Sequence, residues 1–392
     1  MRVHPLKRIG ECRSGALRLV RWVVAWLALG YTCATFAVVA PPPQIEATAH
    51  ILVDFHSQRV LSQDAATSRV EPASLTKLMT EYVVFSELAT GRITLDDKVK
   101  ISKRAWSMKG SRMFVEPGSE VRVEDLLQGV IIQSGNDASV ALAEHVAGSV
   151  QDFSVLMNKH ASALGMRDSN FVNAHGLPHP EHYTTARDMA RLATALIAEF
   201  PDYYRWHSKR AFQHNNITQP NRNRLLWSDE SVDGMKTGYT NAAGYCLVAS
   251  ARRRGMRLIS VVMGTKSPAE RARQSKRLLD YGFKNFETHR LYGAREIISE
   301  VRVWEGDKER LALGLQDDLV VTIPRGQYAS LQARLELRER VMAPVAVDSQ
   351  QGTLRVVLGD ELVAERPLLS LTPIELGNLW RRLSDRVKSM LE

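Results

Sequence analysis

Cysteine is almost missing from this chain. Three occur in 392 residues, and Cys12 and Cys33 both fall within the first 40, so Cys246 stands alone in the remainder and no internal disulfide can staple it. Flanked by Tyr245 and Leu247-Val248 in a strand-like run, Cys246 reads as a packed core residue rather than a nucleophile. Internal repeats and low-complexity tracts are absent as well. The basic surplus is smaller than it looks: six cations against Glu11 put +5 of the formal +9 into the first 40 residues, and the +4 left over does not call for nucleic acid. No H-E-x-x-H helix is present, and the cluster of His175, His179, His182 and Glu181 lies in a Gly/Pro-rich stretch, so it reads as a structural loop and neither a metal nor a cofactor is expected.

What remains is ordinary globular material, 44% hydrophobic and 24% charged, long enough for two or three domains. A basic stretch ends at Arg21, and Trp22 to Ala40 then runs without a charge, the pattern of an export signal over 1–40 or, on length, of a retained membrane helix. Small residues at Thr35 and Ala37 suit cleavage after Ala37, whereas cleavage after Ala40 would put Pro41 next to the cut. Residues 46–62 read as two β runs around a His-Ser-Gln-Arg turn. Helical periods follow, with Leu75, Met79, Tyr82 and Val83 on one face, Leu126, Leu127, Val130 and Ile131 on another, and 137–148, 151–164 and 186–199 continuing the pattern. Residues 243–250 and 256–264 are apolar and β-rich, separated by ARRRG, which predicts an antiparallel hairpin with a solvated arginine turn. A helix over 275–283 closes this α/β unit, whose sheet is expected to be antiparallel around a helical middle.

From 288 to 370 short alternating runs such as EVRVW and DLVVTIP predict a small all-β domain. In the tail, 371–392, Leu376, Leu379, Trp380, Leu383, Val387, Met390 and Leu391 recur at helical spacing, with Arg381, Arg382, Arg386 and Lys388 largely opposite. Such a helix can lie in a lipid interface or pack on the β domain.

The chemistry gathers in three short motifs. In EPASLTKLMT, Ser74 and Lys77 stand three apart, so that on a helix they share a face and the amine can serve the weakly nucleophilic hydroxyl as a base. Near a helix N-terminus the Ser74 N–H also meets the positive end of the dipole, where an oxyanion is stabilised. For Lys77 to accept a proton it must spend time neutral, which burial and a neighbouring cation achieve. The second motif is Ser134-Gly135-Asn136 and the third Lys236-Thr237-Gly238. Each alone is weak, with an N-cap or a strand-edge turn as the plain alternative. Together, once each and in this order, they are the set of penicillin-binding proteins and class A β-lactamases.

The chain resembles the low-molecular-mass penicillin-binding D-alanyl-D-alanine carboxypeptidases from about residue 44 to its end. SLTK, SGN and KTG carry the likeness, with NAHGLPHPEHYTTARDMA, AAGYCLVAS and RLISVVMG. The resemblance implies a transpeptidase fold, an antiparallel sheet with a helical cluster over 44–287, followed by the β domain (288–370) and an amphipathic membrane-attaching helix (371–392). It implies that Ser74 attacks the penultimate D-Ala carbonyl of a peptidoglycan pentapeptide, Lys77 takes its proton, Ser134 relays a proton to the leaving D-alanine, and Asn136 positions the substrate amide or the lysine. Lys236 supplies the cation, and Thr237 with Arg271 holds the terminal carboxylate, Lys266 and Arg273 being alternatives to Arg271. Gly238 belongs to the same substrate-binding strand, and backbone N–H groups of Ser74 and Tyr239 form the oxyanion hole. Tyr239 is a departure, since family members often carry His there. β-Lactams are the implied covalent inhibitors. With an envelope that has a periplasm as the setting, the expectation is an exported, periplasmic protein attached peripherally to the outer face of the inner membrane.

Two other functions use part of this set. A serine β-lactamase shares the acylating residues, but no E-x-x-L-N pattern lies between SGN and KTG to activate a deacylating water. A non-catalytic wall-binding or shape-maintaining protein whose site merely traps β-lactams is argued against by the intact Ser74, Lys77, Ser134 and Lys236.

Overall fold

The computed structural model describes residues 40–389. The export segment expected over 1–40, with Cys12 and Cys33, lies outside the described residues except for Ala40, as do Met390 and Leu391 of the tail pattern.

The two apolar runs around the arginine turn form Gly244–Arg253 and Met256–Thr265, inner strands of a five-stranded antiparallel sheet. Its order is Val60–Asp64, Ala49–Asp54, Met256–Thr265, Gly244–Arg253, Val232–Thr240. Side chains alternate between two cores. Val248, Ile259 and Val261 face the helical cluster, whereas Leu247, Ala249, Leu258 and Val262 meet Leu278 and Leu279 of a helix on the far side. Burial on both faces is why these strands read as continuous apolar runs instead of alternating ones. Each fully buried Leu, Ile or Val adds about 1.5–3 kcal/mol of apolar burial, so this double layer forms a stiff floor beneath the cleft.

The far-side helix is Pro268–Asn285, seven residues longer at its start than the sequence reading of 275–283. Ser267 caps it, its hydroxyl accepting the Glu270 N–H at 3.1 Å, and Pro268 occupies the first turn. Helix Thr76–Ala89 runs through the middle of the other core, with every residue from Thr76 to Phe85 buried. Its polar residues Thr76, Lys77, Thr80 and Glu81 are buried along with its apolar face, so the one-face pattern understated its centrality. Two small antiparallel pairs went unread in the sequence, Lys98–Lys100 with Glu120–Arg122 and Ala211–His214 with Ile217–Pro220, because each is short and largely exposed.

Loop 109–116 is held from below by Asp137, whose carboxylate accepts the N–H groups of Met113, Phe114 and Val115 at 3.0, 2.9 and 3.3 Å. Phe114 takes φ +68° under this constraint. The loop in turn gives its Ser111 carbonyl to the Asn136 N–H at 2.7 Å.

The second half of the described chain is a six-stranded sheet ordered Leu331–Leu337, Gln350–Leu358, Glu361–Ser370, Arg310–Gly314, Ser299–Trp304, Val341–Met342, beside the pair Phe286–Tyr292 and Leu319–Pro324. It meets the first half through short polar side chains: Thr288 donates to the buried Asp54 at 2.8 Å and lies 2.9 Å from Thr322, which is 2.6 Å from Ser57. Arg59 adds a bond to the Thr322 carbonyl and an ion pair with Glu361, both 2.8 Å. Residues 371–378 bridge to Val345 through Ile374 and to Gly306 through Leu376, and Asn378 caps a helix spanning Leu379–Ser389. Its polar side is clasped by the segment around Glu305: Asp385 accepts the Glu305 N–H at 2.8 Å, and Arg386 binds the Glu305 carboxylate at 2.8 Å. Its apolar residues point away, with Leu379, Trp380, Leu383 and Val387 exposed by 72, 83, 55 and 61%. No helix among the described residues is long and apolar enough to cross a membrane.

The Asp137 cradle can be tested. Asp137→Ala leaves three backbone donors without their acceptor and is expected to cost about 2–4 kcal/mol in denaturant unfolding. The Ser111 carbonyl then also loses its seat over the Asn136 N–H.

Candidate active site

Pro72 ends the preceding loop, and Ala73–Leu75 form a single 3-10 turn before the helix proper begins at Thr76. Ala73 sits at φ +46°, a costly conformation for alanine that presents Ser74 to the cleft. Two glycines make the turn possible. At Gly176 (φ +87°) an added Cβ would lie 1.9 Å from the Ala73 carbonyl oxygen, and at Gly238 it would lie 3.2 Å from the Ser74 backbone nitrogen. The KTG strand therefore presses directly on the Ser74 turn. Among the described residues it is an edge strand, paired only with Gly244–Arg253, so its free side borders the cleft.

Ser134 follows a π-helical turn, Gly129–Gln133, and adopts φ +66° before helix Asn136–Ala147 starts. Strain of this kind collects where side chains must be aimed. All of SLTK, SGN and KTG meet in one cleft of about 770 Å³, bordered by Ser74, Ser134, Asn136, Thr237, Gly238 and Arg271.

Lys77 is wholly buried beneath it. Its Nζ is 3.1 Å from Ser74 Oγ, 2.7 Å from Asn136 Oδ1 and 2.5 Å from the His175 carbonyl. Burial, followed by the positive charge of Lys236, holds the Lys77 ammonium well below the usual lysine range, while Glu81 and Asp137 pull the other way. Lys236 is 2% exposed and donates to Ser134 Oγ at 2.8 Å. Burial brings it down to about 7, with Glu81 as the main opposing influence. Asn136 is itself fixed, donating from Nδ2 to the Lys109 carbonyl at 2.6 Å.

Arg271 reaches the cleft from helix Pro268–Asn285 and donates to the Gly238 carbonyl at 3.1 Å. Arg273 instead pairs with Glu270 at 2.6 Å and is largely exposed, as is Lys266, so of the three cations only Arg271 borders the cleft. Tyr239 is half-exposed; its ring stacks on Tyr245 with centroids 4.2 Å apart, and its hydroxyl donates to Asn241 at 2.8 Å.

The histidine loop is used locally. His182 Nδ1 accepts the Val172 N–H at 3.1 Å, which leaves Nε2 to donate to Thr76 Oγ1 at 2.7 Å, and Thr76 donates to the Ala73 carbonyl at 2.7 Å. Burial keeps His182 near 4 and His175 near 3, neutral imidazoles under ordinary conditions. Among the described residues no group of three candidate ligands is placed to hold a metal. Cys246 is fully buried in the sheet, where desolvation lifts its thiol to about 11.

Sequence reasoning missed Glu81 and Arg222, whose charges act on the buried lysines, and His207, which lies 3.2 Å from Glu81. Glu81 stands four residues after Lys77, a same-face spacing that could have drawn notice. Nothing local marks the other two.

Comparison with known proteins gives a consistent result. A family model described as D-alanyl-D-alanine carboxypeptidase matches residues 35–267, and one described as penicillin-binding protein 5, C-terminal domain, matches residues 286–375. The chain is 45% identical to the D-alanyl-D-alanine carboxypeptidase DacC of Escherichia coli (strain K12) over 353 residues, which is 88% of each chain. Penicillin binding protein 5 from Haemophilus influenzae has a crystal structure similar to this fold with a TM-score of 0.84 at 43% identity, covering 86% of this chain and 99% of that one. Penicillin-Binding Protein D2 from Listeria monocytogenes, in its ampicillin-bound form, gives a TM-score of 0.58 at 28% identity over 62% of this chain and 100% of that one.

Proposed function

The chain belongs to the D-alanyl-D-alanine carboxypeptidase family of serine-type hydrolases, and on that footing we propose that Ser74 is its nucleophile, acylated by the penultimate D-Ala of a peptidoglycan stem with release of the terminal D-alanine. The observation that carries the reading is the set of three contacts around Lys77 Nζ. A neutral amine has two N–H bonds and one lone pair. With Asn136 Oδ1 and the His175 carbonyl accepting the two N–H bonds, the lone pair is left for the Ser74 hydroxyl, 3.1 Å away.

The remaining roles follow from position. Ser134 Oγ accepts from Lys236, so its own proton is available to the departing amine, and the Lys236 charge discourages protonation of Lys77 before reaction. The free edge of the KTG strand offers main-chain groups to an extended peptide, and Thr237 with Arg271 suits the terminal carboxylate. The Ser74 and Tyr239 N–H groups serve as the oxyanion hole. Tyr239 contributes through its backbone, so its replacing a histidine leaves the chemistry intact. β-Lactams enter as substrate mimics that acylate Ser74. Residues 44–287 form the catalytic domain in this reading, 288–370 the β domain and 371–392 the attaching tail. The tail helix turns Leu379, Trp380, Leu383 and Val387 outward while its polar side is tied to Glu305, an arrangement suited to peripheral attachment at the outer face of the inner membrane after export.

Incubated with a D-Ala-D-Ala peptide and separately with penicillin, the protein should release D-alanine promptly and retain a long-lived penicilloyl adduct by mass spectrometry. Ser74→Ala should abolish both, and unchanged D-alanine release from that variant refutes the assigned nucleophile. Rapid penicillin turnover would identify a β-lactamase instead.

The pH dependence of acylation has a definite form. Activity requires Lys77 unprotonated and Lys236 protonated, so the rate should rise as pH passes the depressed Lys77 value and fall as pH climbs through about 7, where Lys236 loses its proton. Stopped-flow acylation with a fluorescent penicillin reads both limbs.

Deleting residues 379–392 should move the mature protein from anionic lipid vesicles to the supernatant in a flotation assay while leaving D-alanine release within about twofold. Undiminished flotation counts against the tail as the attachment.

A further inference from the structure

One turn after Lys77 on the same helix stands Glu81, fully buried. Its Oε2 lies 3.2 Å from Nε2 of His207, also fully buried, but off the axis of a linear hydrogen bond. Among the described residues neither carboxylate oxygen has a hydrogen-bond partner. His207 belongs to the 3-10 turn Arg205–Ser208, with the Tyr204 ring 5.3 Å away. On its other side is the KTG strand, where a Cβ at Gly234 would come 3.2 Å from His207 Cβ. Both groups are therefore wedged between the nucleophile helix and the strand that carries Lys236. A carboxylate in such a place is costly unless a charge nearby compensates it. Beyond His207, the charges that act across this space are those of the two buried lysines.

We propose that Glu81 is a positioning residue of the active site, a buried counter-charge seated by His207 that keeps Lys236 an ammonium and thereby lets Lys77 remain an amine. The asymmetry between the two lysines supports this. Among the charges of the described residues that act on Lys236, Glu81 is the strongest and the one anion, opposed by Arg222 and Arg271. For Lys77 the order is reversed, because the nearby Lys236 outweighs Glu81. Asp137, from helix Asn136–Ala147, also faces Lys77, but its oxygens are engaged by backbone N–H groups of the 109–116 loop. Arg222 pushes both lysines down. Glu81 acts on both lysines, but on Lys236 it is the leading charge, whereas on Lys77 it is outweighed by Lys236, so the charge that Glu81 sustains on Lys236 is what disfavours a second one on Lys77. This inference rests on the proposed roles of Lys77 as base and Lys236 as cation.

The test is the pH profile of acylation by a fluorescent penicillin, measured on the full mature protein. Glu81→Gln should shift the alkaline limb toward acid by roughly one pH unit, the scale of a full charge acting on a buried amine, so that acylation falls about tenfold at pH 8 and little at pH 6. Its melting temperature should hold or rise, since a buried charge has been removed. Glu81→Asp, which keeps the charge, should restore the parent limb. Unmoved limbs in a folded Glu81→Gln protein overturn the proposal, and so does a Glu81→Asp profile displaced as far as that of Gln, which would mark a packing effect. If Glu81→Gln does not fold, His207→Gln removes the seat but keeps the carboxylate. A smaller shift in the same direction then supports the proposal, and an unmoved limb overturns it. Lys77→Gln run alongside separates the two levels: retained acylation there refutes the roles of the lysines and this inference with them, whereas lost acylation there with unmoved limbs in Glu81→Gln refutes this inference alone.

Discussion

Two lysines buried in one pocket cannot both carry their charge at low cost. Repulsion between ammonium groups a few ångströms apart is weak in water and strong in a protein interior, and burial penalises each charge separately. The site turns this conflict into chemistry by giving the lysines unlike surroundings. Lys77 meets two oxygen acceptors and a serine hydroxyl, whereas Lys236 lies against Ser134 and within reach of an anion. The two amines thus differ in what surrounds each of them.

Holding that difference requires a backbone that does not relax. Ala73, Ser134 and Phe114 all occupy left-handed conformations that their side chains disfavour, and each is fixed by a neighbour. Gly176 and Gly238 admit the Ser74 turn, the π-helical turn aims Ser134, and Asp137 binds the loop over Asn136. Beneath these strained segments lies the doubly buried sheet, whose apolar content provides the stability against which the strain is held.

Much of this was legible from the sequence, for identifiable reasons. SLTK is readable because helical spacing places both groups on one face. KTG and SGN are readable because they recur as fixed partners of SLTK, a likeness of motif rather than anything their own composition dictates. The hairpin around the arginine turn, the all-β texture after 288 and the amphipathic tail all carry periodicity. The start of helix Pro268–Asn285 carried a signal that went unused, since Ser-Pro-x-Glu is a cap followed by a first-turn proline. Other features had no local trace. His207 and Arg222 acquire meaning only when the chain folds them onto residues more than a hundred positions away. A serine at positive φ looks like any other serine in a sequence, and the short exposed pairs at 98–100 and 211–214 lack the apolar alternation that announces a strand.

The joint between the two halves of the molecule has a mechanical consequence. Ser57, Thr288, Thr322 and Asp54 are short side chains with few rotatable bonds, closed into one hydrogen-bonded knot at the point where a hinge would otherwise lie. A knot of this kind transmits torque instead of absorbing it. If the tail rests in lipid, the mouth of the enzyme rides at a set height above the bilayer, and the portion of the wall it can trim is chosen by altitude.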